Sequence, residues 1–363
     1  MLTLVQDRPE ISRLIHNRFR GFTYQEKKRR LIDRCNKDFF VCLKNIFEND
    51  SFDLIVLREY SAIVHDVQNV YKYICALETL SVVVHRQLVI CILQVDSQSI
   101  GNVLQNLDGL VDEFDINPKE GIFGWRGRHQ VISEIITKHK FNDPDAILDL
   151  LRRVIGNLSP SYDVEIRTMR QLFSPVTGIG RVLNIDDQNE LLRMMISIAP
   201  RERVSRHRLI SNLIRQGSFA DAETEIRVFE NDLGVDGPVR RHKVRLILER
   251  AVSAPGLLAE DRATLLNKAL DQAQNLVDAS PQDTYCLKLL GDVCFEIFRF
   301  TGDYSITDLA LERMKEAEKI VSDPEITSAI RRLQGKLVPS TNQDFEFKIE
   351  EVEEDSTQQG FDA

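Results

Sequence analysis

The chain has 363 residues, of which 43 % are hydrophobic and 28 % are charged, and its formal net charge is −9. These proportions are typical of a globular protein, and the length allows two or three packed domains. No run of uncharged apolar residues approaches the roughly 18 needed to cross a bilayer, and the N-terminus lacks the apolar core of a secretion signal. We therefore expect a cytoplasmic protein that does not associate with membranes.

Residues 1–64 show the amphipathic period of helices and predict an N-terminal helical segment, with helices at 10–19, 27–47 and 52–64. Leu31, Cys35, Phe39, Leu43 and Phe47 recur at four-residue intervals and predict one buried face on the second helix. Residues 1–37 carry ten Lys or Arg against four acids. This basic character allows nucleic-acid contact, but a solvated helix face explains it as well.

Residues 65–141 predict a winged-helix-like unit: three helices, then a hairpin, then a further helix over 130–141. The third helix is predicted over 99–114, and the glycines around Trp125 mark the hairpin. In winged-helix proteins the third helix reads DNA. The helix predicted here has no Lys or Arg and carries acids instead, namely Asp108, Asp112, Glu113 and, at its end, Asp115. Acids are the wrong charge for a surface that must meet phosphates. We interpret the unit as structural or protein-binding and do not expect nucleic-acid binding.

Residues 142–200 predict a helical connector. Asp143 before Pro144 and Asp186 before an apolar period are typical helix starts. Gly178 and Gly180 form a GxG sequence without a preceding strand or a third glycine, so we interpret this segment as a loop. All six cysteines lack CxxC spacing, and we expect buried, reduced thiols.

Residues 201–337 carry the signals of an irregular array of helical hairpins. Gly217 and Phe219 mark a turn, and the small Ala222 follows it on a second helix. Ala269 and Ala310 lie at similar places, 47 and 41 residues further along in succession, so the repeat length is not fixed. Residues 338–363 are acidic and predict a disordered tail, although the alternation of Phe345, Phe347 and Ile349 with acids also suits docking as a strand.

The hairpins over residues 203–325 resemble tetratricopeptide repeats, through Gly217, Phe219 and Ala222 and through Ala269, Pro281, Leu290 and Gly291. A wider resemblance rests on the GxxGWRxRHxxIxEII stretch at residues 121–136, which follows a helical lid and precedes the repeats. This order is similar to the regulatory arm of bacterial STAND signal-transduction NTPases. The resemblance implies that the repeats sense a ligand and that the winged helix relays the state to an ATPase core.

The ATPase core of that family is missing from this sequence. GxxxxGK[ST] does not occur, and Gly335-Lys336 is followed by Leu337 rather than by a hydroxyl residue. We therefore expect no cofactor and no ATP hydrolysis by this chain alone. A P-loop ATPase supplied by another chain is one expected partner, and a protein or peptide ligand is the other.

Two basic groups are candidate partner-binding residues. Arg126, Arg128 and His129 follow the predicted wing, where related ATPases place side chains near nucleotide phosphates, and pairing with acids such as Glu134 is the alternative. The second group could form a basic strip along the repeats, with solvated helix faces as the alternative; it comprises Arg206, Arg208, Arg240 and Arg241.

No GxSxG or HExxH sequence occurs, and the carboxylates cluster at helix starts. We therefore expect a non-catalytic protein-interaction or sensor module, in the manner of a STAND regulatory arm in bacterial signalling or defence. A stand-alone transcription regulator and an enzyme of another kind are the alternatives. The sequence does not indicate an oligomeric state.

Overall fold

The structure, a computed structural model, describes residues 15, 17–35, 39–46, 49–94, 99–181, 183–321 and 323–337. It is mainly α-helical with one small sheet, and the predicted mainly α fold with an array of helical hairpins is confirmed. The chain divides into two compact units, residues 1–191 and 192–363. The predicted acidic tail lies outside the described residues. None of the described helices combines the length and the apolar composition that crossing a bilayer requires.

Unit 1 begins with short helices: α1 (Asn17–Arg20), α2 (Tyr24–Arg29), a π-helical turn (Arg30–Arg34), α3 (Phe39–Ile46) and α4 (Asn49–Ala62). The continuous helix predicted over 27–47 is therefore wrong. Thr23 starts α2 through reciprocal hydrogen bonds with Glu26, which form a capping box. Both residues are polar, so the spacing of apolar residues does not indicate this helix start. The buried face of this segment comprises Ile15, Phe19, Leu31, Cys35, Cys42 and Ile46. Leu31 and Cys35 are confirmed in this face, Leu43 is half-buried, and the side chains of Phe39 and Phe47 lie outside the described residues.

The centre of unit 1 consists of α5 (His65–Thr79), β1 (Val84–His85), α6 (Arg86–Leu93), α7 (Ile100–Asn106), β2 (Val111–Asn117), β3 (Ile122–Gly127) and α8 (Gln130–Lys140). The three strands form an antiparallel sheet in the order β1-β3-β2. Val84 pairs with Trp125, and the hairpin register places Asp112 opposite Arg126. The predicted hairpin is present, and the helix that follows it is α8.

The third helix predicted over 99–114 is half wrong, because α7 ends at Asn106. Gly109 has a φ of +69°, in the left-handed region, where it turns the chain toward β2. Asp112, Glu113 and Asp115 therefore lie on a strand, and Asp108 lies in the turn before it. The helix itself carries no charged residue, and the acids that oppose contact with phosphates lie on the sheet and in the turn before it.

Unit 1 continues with α9 (Pro144–Gly156), α10 (Asp163–Leu172), a 3-10 turn (Ile179–Arg181) and α11 (Ile185–Ile198), within which the division between the units falls. Asp143 caps α9, as predicted. At α11 the capping side chain is Asn184 rather than Asp186, since it accepts from the backbone N–H groups of Asp186 and Asp187. The GxG segment is a loop, as predicted, and a Cβ at Gly178 would lie 2.1 Å from the Leu172 carbonyl oxygen.

Unit 2 is a run of helices: α12 (Arg203–Arg215), α13 (Phe219–Leu233), α14 (Gly237–Ser253), α15 (Ala259–Ala279), α16 (Thr284–Thr301), α17 (Ser305–Ile320) and α18 (Pro324–Leu337). Each helix packs on the next, and the alternate helices α12, α14, α16 and α18 also pack on one another. We call these four helices row A and the intervening helices α13, α15 and α17 row B. Gly217 and Gly302 occupy turns from row A to row B with φ values of +76° and +77°.

Ala222, Ala269 and Ala310 are each fully buried on row B helices. A methyl group at these positions allows close approach of the neighbouring helices, as predicted from their similar places in the repeats. One continuous hydrophobic core runs through α14 to α18. Gly291 is buried on α16 beside this core, and a Cβ there would lie 2.7 Å from the Met314 methyl carbon. The array therefore depends on small residues at helix contacts.

Candidate functional site

The first predicted basic group lies at the end of β3 and the start of α8. Arg126 is 60 % exposed, and its Nε lies 3.9 Å from the Asp112 carboxylate across the hairpin. Its guanidinium also lies over the Phe114 ring, 5.4 Å from the centroid. Both contacts are weak and solvent-exposed, so this side chain is available to a partner.

Arg128 and His129 are held more firmly. Arg128 makes a bidentate ion pair with Glu59 of α4, with Nη1 2.8 Å from Oε1. His129 caps α8, because its Nδ1 accepts from the Val131 N–H at 3.1 Å. The predicted partner Glu134 is not the acid that Arg128 meets. The structure thus separates the three residues: Arg126 faces solvent, whereas Arg128 and His129 fix the start of α8.

Glu78 of α5 connects the sheet to the helices around it and was not singled out from the sequence. Its Oε2 accepts from the Gly127 N–H at 3.0 Å and from the Ser133 hydroxyl at 2.7 Å. A Cβ at Gly127 would lie 2.6 Å from that hydroxyl, so the contact requires glycine. Glu113 of β2 accepts from Trp125 Nε1 at 2.8 Å and from Arg86 at 3.2 Å. Single charged residues on helices give no sequence signal for such contacts.

The cysteines are buried as predicted, except for Cys91, which is exposed. Burial raises the pKa of the Cys75 thiol to about 12. Burial also raises the pKa of the Cys294 thiol to about 12. At neutral pH both groups are protonated thiols, which are poor nucleophiles.

The second predicted basic group does not form a continuous exposed strip. Arg206 is 7 % exposed, donates from Nε to the Pro200 carbonyl oxygen at 3.2 Å, and pairs with Asp232 at 3.1 Å. Arg208 is half-buried on the same helix. On α14, Arg240 is exposed, with no carboxylate within 4 Å among the described residues, whereas Arg241 pairs with Asp283 at 3.2 Å. Among the four, Arg240 alone is an exposed side chain.

The basic side chains of row A instead form contacts between successive row A helices. His207 Nε2 of α12 lies 3.1 Å from Asp236, which caps α14, and Arg241 of α14 pairs with Asp283, which caps α16. Lys288 of α16 pairs at 2.8 Å with Glu325 in the first turn of α18. We call these three contacts the row A ladder.

Electrostatics favour the charged form of the first acid in the row A ladder. Burial acts to raise the pKa of Asp236, but hydrogen bonds from the Val239 N–H and from Arg203, together with His207, outweigh it and lower the pKa. His207 also lies 4.5 Å from the Phe229 ring and 5.4 Å from the His242 ring, measured between centroids. The first joint of the array is therefore a packed polar cluster.

The row A ladder has a sequence signal that lies outside the repeat pattern. In each case an acidic cap is followed five residues later by His, Arg or Lys: Glu202 and His207, Asp236 and Arg241, Asp283 and Lys288. The five-residue spacing places the basic side chain beyond the first helical turn, where it reaches an acid at the cap or in the first turn of the following row A helix. The spacing can be recognised as a pairing signal only once the packing of alternate helices is known.

A pocket of about 160 Å³ lies between α15, α16 and α17, and the Arg313–Asp278 ion pair forms part of its lining. This volume is below the roughly 300 Å³ of typical small-molecule sites. No group of three or more metal-ligating side chains occurs in the part of the chain that the structure describes. The exposed surfaces of the array and of the hairpin thus remain the candidate sites.

Comparison of the chain with protein-family models, with curated proteins and with solved structures gives no match.

Proposed function

We propose that this chain is a non-catalytic protein-interaction module in which row A of unit 2 holds a segment of a partner protein. The observation that carries the proposal is the side-by-side packing of α12, α14, α16 and α18, joined by the row A ladder. Stacked helical hairpins form extended surfaces that bind protein segments, because a stiff array loses little conformational freedom on binding. The resemblance to tetratricopeptide repeats over residues 203–325 agrees with this role.

Exposed side chains on row A supply the contact chemistry. Arg240 offers a guanidinium without an acid partner among the described residues, and Phe300 offers an aromatic ring that is 39 % exposed. Arginine and aromatic residues are enriched at the centres of protein interfaces. An acidic or mixed acidic and aromatic segment is therefore the expected ligand.

The centre of unit 1 is proposed as the relay of such a sensor. The element order from α5 to β3, with the sheet order β1-β3-β2, supports a winged-helix-like interpretation. DNA reading is not proposed: α7 carries no Lys or Arg, and Asp112 and Asp115 of β2 are exposed, which gives the surface the wrong charge. The resemblance to STAND regulatory arms makes a P-loop ATPase in another chain the partner of the relay.

The experiment is affinity capture by the full chain from extracts of its source organism, with quantitative mass spectrometry. The variant is Arg240→Glu, and the matched control is Arg227→Glu, an exposed arginine on row B. Arg206→Glu is unsuitable because Arg206 is buried, so this change would test folding rather than the surface.

We expect a protein that the wild-type chain and the Arg227→Glu variant capture equally and that the Arg240→Glu variant captures at least tenfold less. Capture that is equal for all three chains, or absent from all three, would contradict the proposed row A surface. A P-loop ATPase among the captured proteins would support the relay as well.

A further inference from the structure

Two lysines on the packed helices α5 and α8 of unit 1 have no carboxylate partner in the part of the chain that the structure describes. Lys72 of α5 lies over the Phe141 ring, with Nζ 4.3 Å from the centroid, and Lys140 at the end of α8 lies over the Tyr60 ring at 4.5 Å. Both side chains are half-buried. Among the described residues, no acidic oxygen lies within 4 Å of either ammonium group.

The two ammonium groups are near enough to interact electrostatically. Burial lowers the pKa of Lys72, and the positive charge of Lys140 lowers it further. The two ammonium groups therefore repel each other in a partly desolvated place, where opposite charge is worth more than at an open surface.

The acid that α4 brings to the end of α8 is already engaged. Asp53 lies 3.0 Å from His139 Nε2 and 4.0 Å from Lys138 Nζ. The half-buried Arg128 and Arg86 of unit 1, by contrast, have the carboxylate partners Glu59 and Glu113. The pair Lys72 and Lys140 thus carries two positive charges that no described side chain balances.

We propose that Lys72 and Lys140 form a binding site for a phosphate group. A dianion balances both charges at once, whereas a single carboxylate balances one. Lysine binds phosphate as a compact point charge, and the ring faces of Phe141 and Tyr60 hold both ammonium groups in place before the ligand arrives. Tyr73, whose ring lies 6.2 Å from that of Phe141, supplies a further aromatic surface beside the site. The site is independent of the proposed row A surface.

Free phosphate and the phosphate monoester of a small molecule both carry the phosphate group that this site would bind. Isothermal titration calorimetry can distinguish the two ligands. The full chain is titrated at pH 8 and constant ionic strength with inorganic phosphate, with adenosine monophosphate and with glutarate. If inorganic phosphate binds saturably and as tightly as the nucleotide, the site recognises the phosphate group alone. Tighter binding of the nucleotide assigns a monoester whose organic part contacts the aromatic surface.

The variants are Lys72→Gln and Lys140→Gln, with Lys72→Arg as the charge-conserving change and Lys119→Gln as the control. Lys119 is an exposed lysine in the turn between β2 and β3. We expect each of the first two variants to bind at least about tenfold more weakly, since each loses one charged hydrogen bond to the phosphate. Lys72→Arg and Lys119→Gln should bind like the wild type, and the fluorescence of Trp125 verifies folding.

The absence of saturable binding by both phosphate ligands would overturn the proposal. Glutarate binding as tight as phosphate would overturn the assignment to phosphate. Equal weakening by Lys119→Gln would show that net charge, rather than this pair, attracts the anion, and would overturn the site.

Discussion

Several buried and half-buried polar residues of unit 1 meet a partner brought by another element. Arg128 meets Glu59, which is 69 positions away along the chain, and Glu78 meets the Gly127 N–H and the Ser133 hydroxyl. Removing one partner from such a pair leaves the other polar group desolvated without compensation. These side chains therefore stabilise one arrangement of sheet and helices.

His85 is the residue whose burial predicts a pH dependence. It is 1 % exposed on β1, and its Nδ1 accepts from the Leu88 N–H at 3.2 Å to cap α6. Burial lowers its pKa from 6.5 to about 4. The unfolded chain binds a proton below about pH 6.5, whereas the folded chain does so only near pH 4. The contribution of His85 to stability is thus complete above pH 6.5 and is lost as the pH falls toward 4, by about 3 kcal/mol.

We predict that His85→Asn removes this part of the pH dependence. Asparagine retains a capping side chain and does not titrate. The measurement is urea unfolding of both chains at several pH values between 7 and 4, followed by the fluorescence of Trp125, the only tryptophan. The free energy of unfolding of the wild type should fall more steeply with acidification than that of the variant. Parallel pH profiles would rule out a neutral, buried His85.

Helix starts follow local chemistry, whereas the choice between helix and strand at residues 107–117 does not. Asp143 and Asp283 cap their helices through bonds to residues two or three positions ahead. Residues 111–117 form a strand because β3 supplies their backbone partners, from Val111 opposite Gly127 to Asn117 opposite Ile122. Periodicity within a single segment does not include that partner, so an extended helix was the wrong prediction.

At the scale of helices, an ion pair of the row A ladder should contribute more to the free energy of unfolding than an exposed ion pair of similar length. Arg241 and Asp283 are 18 % and 30 % exposed, whereas Arg313 and Asp278 are 46 % and 57 % exposed, with distances of 3.2 Å and 3.1 Å. Water screens the exposed pair strongly. We predict that Arg241→Gln lowers the free energy of unfolding by about 1–2 kcal/mol and that Arg313→Gln lowers it by about 0.5 kcal/mol or less.

Thermal unfolding of the two variants, followed by circular dichroism, measures this difference. Raising the salt concentration should weaken the effect of Arg313→Gln more than that of Arg241→Gln, since buried pairs are screened less. If both substitutions lower the stability equally, the row A ladder does not hold successive helices more firmly than ordinary surface pairs do.

At the scale of the whole molecule, each unit has its own hydrophobic core. In unit 2 one continuous core joins α14 to α18; each helix contacts its sequence neighbour, and each row A helix also contacts the next helix of row A. The stability of such an array is close to a sum of repeat terms and nearest-neighbour terms. Shortening the array from one end should therefore weaken it stepwise.

We predict that a fragment of residues 185–337, which keeps all of α11, folds alone and unfolds cooperatively. A shorter fragment of residues 237–337 keeps the continuous core but loses α12 and α13, and it should unfold at a lower temperature while remaining helical. Circular dichroism during heating measures both fragments. If the fragment of residues 185–337 showed no cooperative transition, unit 2 would not fold independently.

The sequence by itself determined the mainly α class, the hairpin around Trp125, the loop at Gly178 and Gly180, and the turns and small residues of the array. Amphipathic period, glycine and helix caps act over a few neighbouring residues, so local sequence is enough to specify them. The candidate surface was predicted less well: Arg206 and Arg241 belong to the basic sequence pattern, yet Asp232 and Asp283 bind them.

Only the tertiary structure decided which basic side chains remain exposed, where α7 gives way to β2, and which distant residues meet. Ion pairing, burial and strand pairing depend on contacts between elements that are far apart in the chain. Lys72 and Lys140 illustrate the reason, since neither belongs to a recognisable motif. Their two positive charges come together because α5 and α8 pack on each other, and no described carboxylate lies within 4 Å of either ammonium group.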